Sequence, residues 1–125
     1  MWGVSRRRPS RHVGYAKRVN RVGFVFKVKP ESVAAYKVHH QRVWPEMQAA
    51  LHHAGWRNYS LFLRSDGLVF GYVETPDTLA AAQTRMAETE VNARWQALMA
   101  PFFELPDGAR PDEVMVELEP IFYLS

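Results

Sequence analysis

Apolar side chains alternate over residues 21–29. Val22, Phe24, Phe26 and Val28 fall on one side, and Gly23, Val25, Lys27 and Lys29 on the other. That is the pattern of a strand with one well-buried face. The period then lengthens. After Lys29-Pro30-Glu31-Ser32, where Pro30 presets a helical backbone angle and Glu31 suits the positive end of a helix, Val33, Tyr36, His40, Val43/Trp44, Met47 and Leu51 recur at three- and four-residue steps. They make one stripe on a helix running to about Ala54. Pro45 sits inside that span and predicts a kink or a break near residues 42–44, and Gly55 ends the helix.

Alternation returns at residues 56–64, with Tyr59, Leu61 and Leu63 opposed to Asn58, Ser60 and Phe62. Ser65-Asp66-Gly67 is a short turn with glycine where a positive backbone angle is needed. Residues 68–74 then form the return strand of a hairpin. Thr75-Pro76-Asp77 starts a second helical region, rich in alanine through Ala87 and continued over residues 89–100, with Val91, Trp95, Leu98 and Met99 on its apolar side. A loop with three prolines follows, over residues 101–111. Residues 114–124 close the chain as a strand interrupted by Pro120, so its latter part is expected at an edge or a bulge.

The order β-α-β-β-α-β is the split βαβ arrangement. It predicts an α+β fold: one antiparallel sheet with both helices on one face. Aromatic residues on both sides of the strands call for a ligand cavity or a second subunit over the open face. No repeat, low-complexity tract or second domain is visible.

Composition narrows the chemistry. A length of 125 residues with 47% hydrophobic positions suits one domain with a hydrophobic core. There is no cysteine, hence no disulfide framework, thiol nucleophile, iron–sulfur cluster or cysteine zinc site. No apolar run approaches membrane-spanning length, and the N-terminus lacks the apolar stretch and small-residue cleavage site of a secretory signal. Cytoplasm is the expected compartment. The net charge of +3 hints at nucleic acid until it is located. Six of the 16 Lys and Arg residues lie in the first 18 positions, where there is no acid, so the other ten face all 13 acids and the body carries −3. The basicity belongs to a leader, residues 1–17. A basic arm can touch phosphates, but a disordered extension or an upstream start is the simpler reading, and the single domain is taken as residues 18–125.

His40 is the first candidate for chemistry. Tyr36 lies one turn before it and Trp44 one turn after, so all three project from one side of the helix. Its imidazole could move protons near neutral pH, or be a core histidine bonded to a carbonyl. Tyr36 and Tyr59 could bring hydroxyls to the same cavity. Trp44 reads as packing beside the kink. Trp95 is core by spacing, although an indole is also a platform for the apolar face of a sugar; neighbouring Gln96 can fork hydrogen bonds to hydroxyls. The pairs His39-His40 and His52-His53 diverge on a helix instead of converging as i, i+4 ligands would, so no metal site is expected. There is no phosphate loop, nucleophile elbow or glycosidase-like acid pair. Glu74 is the one carboxylate expected to approach the core, and it reads as an edge charge.

Five marks together resemble the L-rhamnose mutarotase family of small sugar-anomer isomerases: RVGFVFKVKP in the first strand; Tyr36-x3-His40-x3-Trp44-Pro45-Glu46; Gly55-Trp56-Arg57-Asn58-Tyr59; Val91-Asn92-Ala93-Arg94-Trp95; and the terminal Ile121-Phe122-Tyr123-Leu124. The likeness covers residues 18–124. It implies a ferredoxin-like α+β domain of the dimeric α/β-barrel type, a homodimer that covers sheet with sheet. It implies His40 as catalytic proton donor and Tyr36, Tyr59, Trp95 and Gln96 as substrate contacts. The family commonly carries two consecutive tryptophans, and here Gln96 takes the second place, which leaves the sugar preference open. The activity implied is interconversion of the α and β anomers of L-rhamnose or a related 6-deoxy sugar by acid–base ring opening and closure, without a cofactor. Two alternatives stay open: a cofactor-free monooxygenase of the same fold class, and a non-catalytic dimeric binding module with the leader on nucleic acid.

Overall fold

The computed structural model describes residues 19–125; the leader reading, residues 1–17, lies outside them. Four strands, β1 (Asn20–Lys27), β2 (Arg57–Leu63), β3 (Leu68–Thr75) and β4 (Val116–Leu118), form one antiparallel sheet in the order β2-β3-β1-β4. This is the ferredoxin-like α+β arrangement expected from the βαββαβ pattern. Val22, Phe24, Phe26 and Val28 are buried together with Val69 and Val73 of β3. Four helices, α1 (Val33–His40), α2 (Pro45–His53), α3 (Leu79–Ala87) and α4 (Glu90–Met99), pack over that layer through Tyr36, Met47, Met86, Trp95 and Met99.

Local chemistry explains where the elements begin and end. The first helical span breaks instead of kinking. Trp44 is extended (φ −55°, ψ 136°) immediately before Pro45, because a residue preceding proline is pushed out of the helical region. Pro45 then starts α2 at the first-turn position it tolerates. Gly55, at φ +95°, and Gly67, at φ +100°, end the helix and turn the hairpin in the left-handed region. The second helical region is also two helices, each capped by a threonine. The Ala81 N–H donates to Thr78 Oγ1 at 3.0 Å and the Asn92 N–H to Thr89 Oγ1 at 3.3 Å. The region therefore begins after Thr78, not at Thr75-Pro76-Asp77.

Gly71 is fixed by packing. It pairs with Phe24 across the β1–β3 ladder, and a Cβ there would lie 2.3 Å from Phe24 Cζ. The final strand is shorter than residues 114–124: only Val116–Leu118 pairs with β1. Pro120 has no N–H to extend the ladder, and beyond it Ile121, Phe122 and Leu124 are exposed, while the Tyr123 ring lies 3.3 Å from the Arg21 guanidinium carbon. The sheet face away from the helices carries Phe62 and Phe70, directly paired and 61% and 39% exposed, with Val116 and Leu118 alongside.

Candidate active site

The break between α1 and α2 puts His40 at the end of one helix and Trp44 at the start of the next, and both lean on Trp95 of α4. The ring centroids of His40 and Trp95 are 5.5 Å apart, and those of Trp44 and Trp95 5.0 Å, both edge-on. The Tyr36 ring lies 4.2 Å from His40 on the other side. Beyond them opens a cavity of about 750 Å³, lined among others by His40, Tyr59, Trp95, Gln96 and Asp112. That size accommodates a small-molecule ligand. A smaller adjoining space of about 50 Å³ is lined by Tyr36 along with the same five residues. The five predicted site residues thus come together, Tyr36 at the back and the other four on the main cavity.

The tautomer of His40 follows from its contacts. Its Nδ1 is 2.9 Å from the Tyr36 carbonyl, an acceptor, so Nδ1 carries the proton and Nε2 is left with the lone pair in the neutral ring. Burial pulls its pKa below the usual 6.5, outweighing the opposing effect of that hydrogen bond. Burial pushes both tyrosine hydroxyls up, and a neighbouring ionisable group, Tyr59 beside Tyr36 and Asp112 beside Tyr59, adds to the rise. Both therefore stay protonated at neutral pH and keep an O–H available to donate. Tyr59 is seated by its ring contacts with Trp56 at 4.9 Å and Phe24 at 6.3 Å.

Gln96 is not a free fork. Its Nε2 donates to Asn92 Oδ1 at 3.0 Å, and its Oε1 accepts from the Asp112 N–H at 3.1 Å. Sequence reasoning missed Asp112 and Asn92. Asn92 had a visible signal, standing one helical turn before Gln96. Asp112 had none, since it follows a loop whose path only the fold reveals. Glu74 is not at a sheet edge: it lies on the central strand β3, opposite Arg21 and Arg57, where it turns away from the core and accepts from Asn58 and from the Tyr72 hydroxyl. Among the described residues no three His, Asp or Glu side chains gather as a metal set, and no helix is long and apolar enough to cross a membrane.

Comparison with known proteins agrees with this architecture. A sequence model of the L-rhamnose mutarotase family matches residues 21–124. The chain is 38% identical over 110 residues to the L-rhamnose mutarotase of Bacillus subtilis, covering 87% of this chain and 99% of that one. It is 34% identical over 108 residues to that of Oceanobacillus iheyensis, covering 86% and 100%. Its fold matches the crystal structure of L-rhamnose mutarotase from Formosa agariphila with a TM-score of 0.69 at 26% identity, over 85% of this chain and 99% of that one. Neither the monooxygenase nor the binding-module alternative finds support among these relatives.

Proposed function

The chain belongs to the L-rhamnose mutarotase family, and on that premise we propose that it interconverts the α and β anomers of L-rhamnose or a related 6-deoxy sugar, with His40 moving the proton. One observation carries the assignment: His40 lines the main cavity with Nδ1 committed to the Tyr36 carbonyl and with no hydrogen-bond partner for Nε2 among the described residues.

Opening a hemiacetal moves one proton from the anomeric hydroxyl to the ring oxygen as the bond between C1 and that oxygen breaks. Both oxygens are bonded to the same carbon, so one imidazole nitrogen can serve both. Nε2 of neutral His40 takes the anomeric proton, and the imidazolium so formed donates it to the ring oxygen. Rotation about C1–C2 presents the other carbonyl face, and the reverse transfers close the ring as the other anomer. The redox state is unchanged and no bond to the protein forms, so the chemistry calls for no cofactor. Tyr59 and Tyr36, kept as phenols, supply hydroxyls that orient the sugar. Trp95 offers an apolar surface on which the C6 methyl can pack. Acid–base assistance of this kind contributes roughly 10²–10⁴-fold, sufficient for a reaction that proceeds unaided in water. The test is exchange NMR of the anomeric protons of L-rhamnose with and without the protein. Acceleration is expected; unchanged exchange across a panel of 6-deoxy sugars refutes the assignment.

A homodimer is part of the same proposal. Phe62, Phe70, Val116 and Leu118 leave the sheet face opposite the helices apolar and exposed, and a second copy laid sheet to sheet would cover it. Light scattering should find a dimer at micromolar concentration, converted towards monomer by Phe62→Lys with Phe70→Lys. A monodisperse monomer of the unaltered protein overturns it. We also assign the protein to the cytoplasm, where free monosaccharides are metabolised; cell fractionation checks this.

A further inference from the structure

The polar wall of the cavity is built around a carboxylate that the mechanism does not use. Asp112 sits in a 3-10 turn, Pro111–Glu113, and is held through its backbone by two glutamines. Its N–H donates to Gln96 Oε1 at 3.1 Å, and its carbonyl accepts from Gln83 Nε2 at 2.8 Å. Its side chain, only 12% exposed, accepts from Arg110 Nε on Oδ1 at 3.3 Å, and on Oδ2 from Arg110 Nη2 at 3.2 Å and Asn92 Nδ2 at 3.2 Å. Gln96 Nε2 completes a closed ring by donating to Asn92 Oδ1. The circuit runs from Gln96 to Asn92 to Asp112 and back to Gln96, and Asn92 and Gln96 are 2% and 8% exposed. Such a circuit fixes each member's orientation and polarises its neighbours.

A carboxylate taken this far out of water needs its acceptor sites filled. An ionised carboxylate has about four such sites, and Arg110 and Asn92 fill three. The fourth, on Oδ1, has no donor among the described residues, and the side chain lines the cavity beside Tyr59, Trp95 and His40. The group that fits is a hydroxyl donor, and a hydroxyl bonded to a carboxylate makes one of the stronger, more directional hydrogen bonds available.

We propose that Asp112 accepts a hydrogen bond from one ring hydroxyl of the monosaccharide and sets which sugars are turned over, and that Gln96 and Asn92 are positioning residues that hold it. With Trp95 on the ring face and Asp112 on one hydroxyl, the sugar is constrained at two chemically different points. A sugar lacking that hydroxyl, or carrying it in the opposite configuration, leaves the carboxylate's last site unfilled. The inference rests on the cavity being the sugar site proposed above.

The test compares kcat/KM for anomer exchange, by saturation-transfer NMR, on L-rhamnose and its 2-, 3- and 4-deoxy analogues, using the full chain, Asp112→Asn and Gln96→Met. The unaltered protein should lose about 10- to 100-fold on one analogue, and Asp112→Asn should flatten that penalty to ~3-fold or less. Most of the change should appear in KM. Gln96→Met should weaken discrimination at the same carbon and no other, which a merely structural role would not do. If Asp112→Asn does not fold, Gln96→Met decides alone. A uniform loss on every analogue, or the unaltered deoxy profile in both variants, overturns the proposal while the mutarotase assignment stands. Absence of exchange on any sugar by the unaltered protein overturns both.

Discussion

Replacing His40 by alanine separates chemistry from packing, because the two make different demands on the same side chain. The ring touches Tyr36 at 4.2 Å and Trp95 at 5.5 Å and donates to the Tyr36 carbonyl at 2.9 Å. That carbonyl lies inside α1 and keeps its intrahelical partner when the imidazole is removed. The space left behind opens onto the main cavity, so water can enter it and no dry void forms. The stability loss should therefore fall at the low end of the range for a truncated hydrogen-bonded side chain, about 1 kcal/mol, or a few degrees in Tm. The catalytic loss should be far larger, removing most of the roughly 10²–10⁴-fold that a positioned acid–base group contributes.

His39→Ala supplies the control. Consecutive helical residues point about 100° apart, and the His39 ring rests against Phe102 at 5.6 Å, away from the cavity lining. Anomeric exchange NMR and thermal unfolding on both variants complete the experiment. His39→Ala should exchange at nearly the unaltered rate. A folded His40→Ala protein that does the same refutes the role of His40 and the proton route built on it.

Three further outcomes follow from the geometry. Trp95→Ala should raise the half-saturating sugar concentration about 3- to 10-fold while changing the saturated rate little, since a stacking surface serves ground and transition states alike; a fall in saturated rate alone contradicts that role. Because burial holds His40 below its ordinary 6.5, exchange should stay level through neutral pH and fall only as acidification charges the imidazole below that value. The unfolded chain protonates first, so stability should also start to fall as pH drops below 6.5 and stop falling once the native imidazole charges as well; a rate that rises on mild acidification contradicts the neutral resting state. Gly71→Ala should cost about 1–3 kcal/mol, because the new methyl would sit 2.3 Å from Phe24 Cζ; an unchanged midpoint in thermal unfolding would show that Phe24 can move aside.

The legible parts of this chain were those governed by near neighbours. Alternation placed β1, β2 and β3, and the three- and four-residue stripe put Tyr36 and His40 on one side of α1. Pro45 marked the helix break, though not its sharpness, because that depends on Trp44 adopting the extended backbone that proline demands of its predecessor. The C-terminal strand is shorter than its side-chain pattern predicts. Residues 114–124 contain the right side chains, but a ladder also needs a partner strand and an N–H at each second position, and Pro120 withholds one.

Asp112 shows where local reading stops. Its place beside Tyr59 depends on two glutamines, Gln83 and Gln96, on two neighbouring helices, reaching the same 3-10 turn, distant in sequence from Gln83. No periodicity encodes that meeting. By its sequence position beside Trp95, Gln96 reads as a fork for substrate, because an amide can bond two hydroxyls. Once the chain folds, one of its N–H groups and its carbonyl are bonded to Asn92 and Asp112, and under the proposal above its influence on the sugar passes through the carboxylate it holds. The polar character that Gln96 brings is therefore expressed at Asp112, and substitutions at either position should alter discrimination at the same carbon of the sugar. Paired substitution would be non-additive for that reason: once Asp112 is asparagine, the further change Gln96→Met should remove little more discrimination.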